Sequence, residues 1–192
     1  MKELSLNILD IVENSTKAGA KLVEIQLQET DTALTITVRD DGCGMNEETC
    51  RAALDPFYTT RTTRSVGMGI PLFKMMAEQT GGSLSLESKS REECPTSSGT
   101  VISATFIKTH IDFTPLGDVV STVLTLIQGH PETDFIFEHL GPTLEVRLDT
   151  RELREVLGED VSLASYEVIQ WIKEYLNEQY SEDISQSIGK DE

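Results

Sequence analysis

Cysteine, histidine and tryptophan are all scarce in this chain: three, three and one among 192 residues. Cys43, Cys50 and Cys94 are too few and too irregularly spaced for a disulfide framework or a zinc site. A reducing, cytoplasmic location is therefore expected. No run of about 20 apolar residues occurs, which excludes a transmembrane helix and argues against membrane insertion. The opening MKELSLNILD has one lysine, then acids, and no uninterrupted apolar core, unlike a secretion signal. Basic residues are also in deficit: 16 Lys and Arg stand against 33 Asp and Glu, a formal net charge of -17. Such a surface repels phosphate backbones, so no nucleic-acid partner is expected. The deficit is uneven. Up to Thr109 there are 15 acids against 11 bases, and from His110 on there are 18 against 5.

What remains is a length sufficient for one sizeable core or two small ones and a regular apolar pattern. Leu4, Ile8, Ile11 and Val12 recur at three- and four-residue spacing and predict a helix over 3–18. KLVEIQLQET and ALTITVRD alternate and predict a β-hairpin. DGCGM follows as a loop, with a short helix near 46–53. GMGIPLFKMMAEQTGG reads as a helix with Pro71 in its first turn and Gly81-Gly82 closing it. SLSLES and GTVISATFIK are two further strands, with a flexible turn between them. Residues 1–109 thus run α-β-β-α-α-β-β, one antiparallel sheet layer under helices, an α+β fold of the two-layer sandwich kind. Residues 110–180 predict a second, small acidic α+β module: a helix over 115–129, a hairpin around Gly141-Pro142, and a last helix with Leu163, Val168, Ile169, Trp171, Ile172 and Leu176 as its apolar stripe. Residues 181–192 read as a flexible, polar tail.

Two glycine-bearing stretches carry chemistry. In VRDDGCGM, Gly42 and Gly44 permit tight turning and close backbone approach to a ligand. Asp40 at the strand end can accept from an exocyclic amine such as that of adenine, and Asp41 can cap the turn. A plain turn fits the same residues. In SVGMGIPLF, Gly67 and Gly69 precede a helix whose N-terminal N–H groups attract anions. Ser65 offers a hydroxyl, and Arg61 and Arg64 offer planar forks for phosphate oxygens. The alternative is a loop with solvated arginines. No Lys-Ser or Lys-Thr follows the glycines, so this is not a Walker loop, and no βαβ unit supports a dinucleotide fingerprint. In DIVENSTKAGA, Asn14 can offer an amide oxygen to magnesium, and Asp10, one turn back on the same face, can orient or deprotonate water. A capping Asn14 and a solvated Asp10 are the alternatives.

These motifs, in this order over residues 4–107, resemble the GHKL ATP-binding fold shared by gyrase, histidine kinases, the large heat-shock chaperones and MutL. DIVENSTKAGA resembles the N box, DDGCGM the first glycine box, PFYTTR the F box, SVGMGI the second glycine box and SGTVISATF the last box. The resemblance implies ATP and Mg²⁺ as ligands. It places Asn14 on the metal and Asp10 in the base position. Asp40 would read the adenine amino group, with Gly42, Gly44 and Met45 beside the base and Thr100 near it. Thr60, Arg61, Arg64, Ser65, Val66, Gly67, Met68 and Gly69 would surround the phosphates. Two departures stand out. Asp10 replaces the longer glutamate, and no histidine in residues 1–109 can act as a phosphoacceptor.

The expected function is a Mg²⁺-dependent ATP-binding regulatory protein, with or without slow hydrolysis, that meets a protein partner through its acidic C-terminal module. A serine/threonine kinase like the anti-sigma kinases of this fold is the alternative. For the module itself, the bland alternatives are a homodimer contact or completion of a small core, and the Trp171 stripe is expected to pack inward.

Overall fold

The strand patterns merge into one six-stranded sheet. The computed structural model describes residues 3–55, 69–158 and 161–188. Its elements are α1 (Leu4–Lys17), β1 (Leu22–Glu29), β2 (Ala33–Asp40), α2 (Glu47–Ala53), α3 (Gly69–Gln79), β3 (Ser83–Lys89), β4 (Gly99–Ile107), α4 (Val119–Gly129), β5 (Asp134–Leu140), β6 (Glu145–Asp149), α5 (Thr150–Leu157) and α6 (Tyr166–Ile188). The strand order is β3-β4-β2-β1-β5-β6. All neighbours are antiparallel except β1 and β5, which run parallel.

The inward-facing side chains of the sheet, among them Val23, Ile25, Leu27, Leu34, Ile36, Val38, Ala104, Phe106, Phe135 and Phe137, are buried. Helices cover this face: α3 lies against β3 and β4, α1 against β2, α4 against β5, and α6 against β6. Leu4, Ile8, Ile11 and Val12 on α1 join the same apolar cluster as Phe73 on α3, Ile127 on α4 and Ile172 on α6. This is the expected two-layer α+β sandwich.

The hairpin assigned by sequence to the module over 110–180 continues the sheet of the first unit. β5 takes its place beside β1, with Val23 opposite Phe135 and Leu27 opposite His139. The two stretches share one core because a mid-sheet β1, apolar on its inner face, needs a neighbour on each side. The first four residues of the predicted helix, 115–118, fall outside α4, which starts at Val119 behind an Asp118 cap that accepts from Ser121 N–H. The carbonyls of Pro115 and Leu116 instead accept the N–H groups of Leu4 and Ser5, at 3.0 and 2.8 Å. Glu3 at the start of α1 makes no side-chain cap, so these carbonyls satisfy donors that the helix leaves open.

Two further differences concern helices. α5 was not anticipated; Asp149 caps it by accepting from Arg151 N–H, and Arg154 ties it to Asp134 at 2.7 Å. α6 runs on to Ile188, past the start of the predicted tail. The turn over 89–99 is pinned rather than loose: Arg91 N–H reaches the Cys43 carbonyl and Ser98 Oγ reaches the Gly42 carbonyl, both at 2.8 Å. Among the described residues no helix is long and apolar enough to cross a membrane.

Candidate functional site

At one end of the sheet the apolar inner face gives way to a polar row. Asp40, Thr100 and Ser88 stand side by side on β2, β4 and β3, next to the buried Val23 on β1. Asp40 is held from two directions. Ser15 on α1 donates its hydroxyl to Oδ2 at 2.6 Å, and the Gly42 N–H donates to Oδ1 at 2.9 Å. A carboxylate has about four acceptor sites, so Asp40 retains capacity for a ligand N–H. The buried Thr100 hydroxyl lies 2.9 Å from Ser88 Oγ. Ser88 accepts from Met45 N–H at 2.8 Å and donates to the Gly99 carbonyl at 2.9 Å. Its one proton is thereby committed, so Thr100 is the donor to Ser88 and presents lone pairs elsewhere.

Asp41 has the other duty considered for the pair. Its Oδ1 accepts from Lys21 and Leu22 N–H, at 2.7 and 3.0 Å, and ties the loop to the start of β1. The glycines of this loop also have packing reasons. A Cβ at Gly42 would sit 3.0 Å from both the Ala18 Cβ and the Asp40 carboxylate, and one at Gly44, where φ is +63°, would lie 1.9 Å from the Lys89 carbonyl oxygen. Side chains at these positions would force the loop off α1 and β3.

α1 supplies the facing wall. Asp10 and Asn14 lie one turn apart and exposed, and neither side chain has a hydrogen bond or ion pair among the described residues. Glu13 between them is engaged. Its carboxylate meets His130 Nε2 at 2.8 Å and Lys17 Nζ at 3.5 Å. The hydrogen bond from His130 holds the Glu13 carboxyl below its usual range, against a smaller opposing effect of burial. Gly69 opens α3 beside the Asp10 turn: a Cβ there would stand 3.5 Å from Asp10 Cβ. Pro71 is buried in that first turn, where its missing N–H costs no helix bond.

The structure therefore gathers Asp40, Gly42, Gly44, Met45 and Thr100 at the sheet end, and sets Asp10 beside Gly69 on two neighbouring helices, with Asn14 one turn along α1. Thr60, Arg61, Arg64, Ser65, Val66, Gly67 and Met68 lie outside the described residues. Ser15 and Ser88 are site residues that the sequence reading missed; Ser15 directly follows Asn14 in the motif, the one signal available for it. A cavity of about 770 Å³ opens beside the polar row, with Asp40, Leu86, Ser88, Thr100 and Cys50 among its lining residues. It extends past Glu24, Arg39 and Glu87 on the outer sheet face, and its described lining does not include Asp10, Asn14 or Gly69. Burial raises the Cys50 thiol pKa, so this cysteine stays a neutral wall residue.

Among the described residues no group of three or more His, Cys, Asp or Glu side chains could hold a metal ion. The oxygen donors of Asn14 and Asp10 nonetheless suit a hard cation such as Mg²⁺, which takes one or two protein ligands and fills the rest with water and phosphate.

The sandwich, the strand-end aspartate and the facing α1 define a GHKL-type ATPase domain. This chain belongs to the histidine kinase-, DNA gyrase B-, and HSP90-like ATPase family, whose model matches residues 2–110. It is 27% identical over 183 residues to the DNA mismatch repair protein MutL of Bacillus licheniformis, covering 79% of this chain and 29% of that protein. It is 31% identical over 90 residues to sporulation kinase E of Bacillus subtilis, covering 46% of this chain and 12% of that protein. The chain thus spans less than a third of the length of these curated relatives. Among solved structures, the Aquifex aeolicus MutL ATPase domain complexed with ADP shares the fold at a TM-score of 0.51 and 15% identity, covering 82% of this chain and 69% of that one.

Proposed function

We propose that the chain binds ATP with Mg²⁺ and acts as a regulatory protein on or within a protein complex, with slow hydrolysis at most. The observation that carries this reading is the strand-end Asp40, anchored by Ser15 and the Gly42 N–H yet keeping free acceptor sites, with Asn14 next to Ser15 on α1 and Asp10 one turn back. Asp40 would accept from the adenine amino group, and the buried Thr100 hydroxyl would complete the base contact. The N-terminal turn of α3 would favour the phosphates. Mg²⁺ would be held by the Asn14 amide oxygen and would neutralise phosphate charge. Asp10 would hold water in position and accept its proton. Its short side chain, in place of a glutamate, is the reason for expecting slow turnover, since an ångström of misplacement costs about a hundredfold in rate.

The test is calorimetry on the whole chain, setting ATP against GTP for the wild type and the wild type against three variants for ATP. ATP with Mg²⁺ should bind, and GTP much more weakly, because guanine presents an acceptor oxygen where adenine presents its amine. Asp40→Asn should weaken ATP binding by roughly 1–3 kcal/mol, the usual cost of an unmade hydrogen bond to a charge, with its thermal melt recorded alongside. Asn14→Ala should lower only the Mg²⁺-dependent affinity, while Asp10→Asn should keep affinity and lose whatever hydrolysis exists. Equal ATP and GTP affinities would refute the site. Transfer of the γ-phosphate to serine or threonine of a partner would replace this reading with the kinase alternative.

A further inference from the structure

The last helix carries two very different faces. Val168, Ile169, Ile172 and Leu176 are buried in the shared core. Trp171, expected on that same stripe, is instead 49% exposed and stacks on Tyr175, itself 38% exposed, with ring centroids 5.0 Å apart and planes 10° from parallel. At helical spacing Trp171 falls outside the buried arc and in line with Glu167, Glu174 and Glu178. All three carboxylates are exposed, and none has a hydrogen bond or ion pair among the described residues. Glu174 and Glu178 stand four apart, where like charges repel. The helix thus bears a half-exposed aromatic stack flanked by repelling acids that its own fold leaves uncovered, and together they point to a partner.

We propose that this face of α6 is a docking surface for a basic, arginine-bearing segment of a partner protein. This rests on the reading above that the C-terminal half meets a partner, but not on ATP binding. The occupant follows from charge and ring chemistry. A guanidinium can lie flat on the Trp171–Tyr175 stack and fork toward the flanking carboxylates, which an ammonium does less well. Residues from His110 on contain only 5 bases against 18 acids, so the chain offers little of its own to fill the face. A second copy in two-fold contact would set the same acids against each other. Phosphate-bearing partners are repelled outright.

The chain's single tryptophan is the reporter. The full chain is titrated with a synthetic peptide of alternating leucine and arginine, and with the lysine and glutamate versions, without nucleotide. Trp171 emission and the amide resonances of α6 are followed. Saturable change is expected with the arginine peptide, roughly two- to fivefold weaker binding with lysine, and none with glutamate. By amide shifts, Trp171→Ala and the pair Glu174→Lys with Glu178→Lys should each weaken binding about tenfold or more. Reversal of the remote exposed acids Glu132 and Glu155 should weaken it far less, apart from a salt-sensitive background. An equal loss from the remote pair, or a titration that never saturates, overturns the proposal. So does a concentration-dependent dimer that Trp171→Ala abolishes. Failure of ATP to bind in calorimetry leaves every one of these readouts unchanged.

Discussion

His139 is nearly sealed between the sheet and α6. Its Nδ1 lies 2.9 Å from the Tyr180 hydroxyl, its Nε2 lies 3.2 Å from Glu29, and Lys108 meets the other Glu29 oxygen at 2.5 Å. Burial lowers the imidazole pKa, and the Glu29 hydrogen bond and charge oppose it without cancelling it. Burial also raises the Tyr180 phenol, so the network holds a neutral ring and a neutral phenol beside the Glu29–Lys108 pair. The unfolded chain takes up a proton at its ordinary value near 6.5, while the folded chain resists until the pH is lower. Stability therefore falls as the pH drops from about 6.5 toward the depressed folded value. Urea midpoints between about pH 7.5 and pH 5.5 should show that loss, and His139→Gln should flatten it; an unchanged slope would reject the assignment. Such a network is invisible in sequence, since its four members come from β1, β5, α6 and the turn after β4. The Asp40–Asp41 pair was half legible. Alternation puts Asp40 in phase with the inward Leu34, Ile36 and Val38, but the partners that hold its carboxylate, Ser15 and the Gly42 N–H, follow from packing alone. Ser15 and Ser88 were missed for a similar reason, because hydroxyls on a helix or strand follow no apolar period.

At the scale of elements, period and glycine punctuation made α1, the two hairpins, α3 and its Gly81 closure readable, because each has a strong local cause. α5 was not readable, since its polar surface leaves few apolar residues to count. Pairing between distant strands was not readable either, as alternation fixes a strand's faces but not its neighbours. One local device protects the far edge of the sheet. The Gln179 side chain on α6 acts as a substitute peptide group for β6, accepting from Arg147 N–H at 2.9 Å and donating to the Arg147 carbonyl at 3.1 Å. Edge strands left open invite pairing with other chains. Gln179→Ala should cost about 1 kcal/mol and speed hydrogen exchange at the Arg147 amide, while the amides between β5 and β6 stay protected. Exchange at Arg147 no faster than in the wild type would show that the edge is closed by something else.

At the scale of the molecule, the family match ends at residue 110, but the cooperative structure does not. A fragment of residues 1–109 would leave β1 as a bare edge and uncover Val23, Ile25 and Leu27. It would also take the Pro115 and Leu116 carbonyls from the start of α1 and His130 from Glu13. It should therefore lack dispersed amide resonances and a cooperative melt; a sharp transition near that of the whole chain would refute this. The pairing of β1 with β5 also has a kinetic side. Gln26 bonds Glu138 across 112 positions of chain, one of the longest closures in the fold. Contacts this distant in sequence are slow to form. During synthesis, the strand at the middle of the finished sheet must wait, one flank bare, until Asp134–Leu140 has left the ribosome. The helix that carries Asp10 and Asn14 thus gains its final seat among the last events of folding, although it precedes every strand of the sheet in the chain.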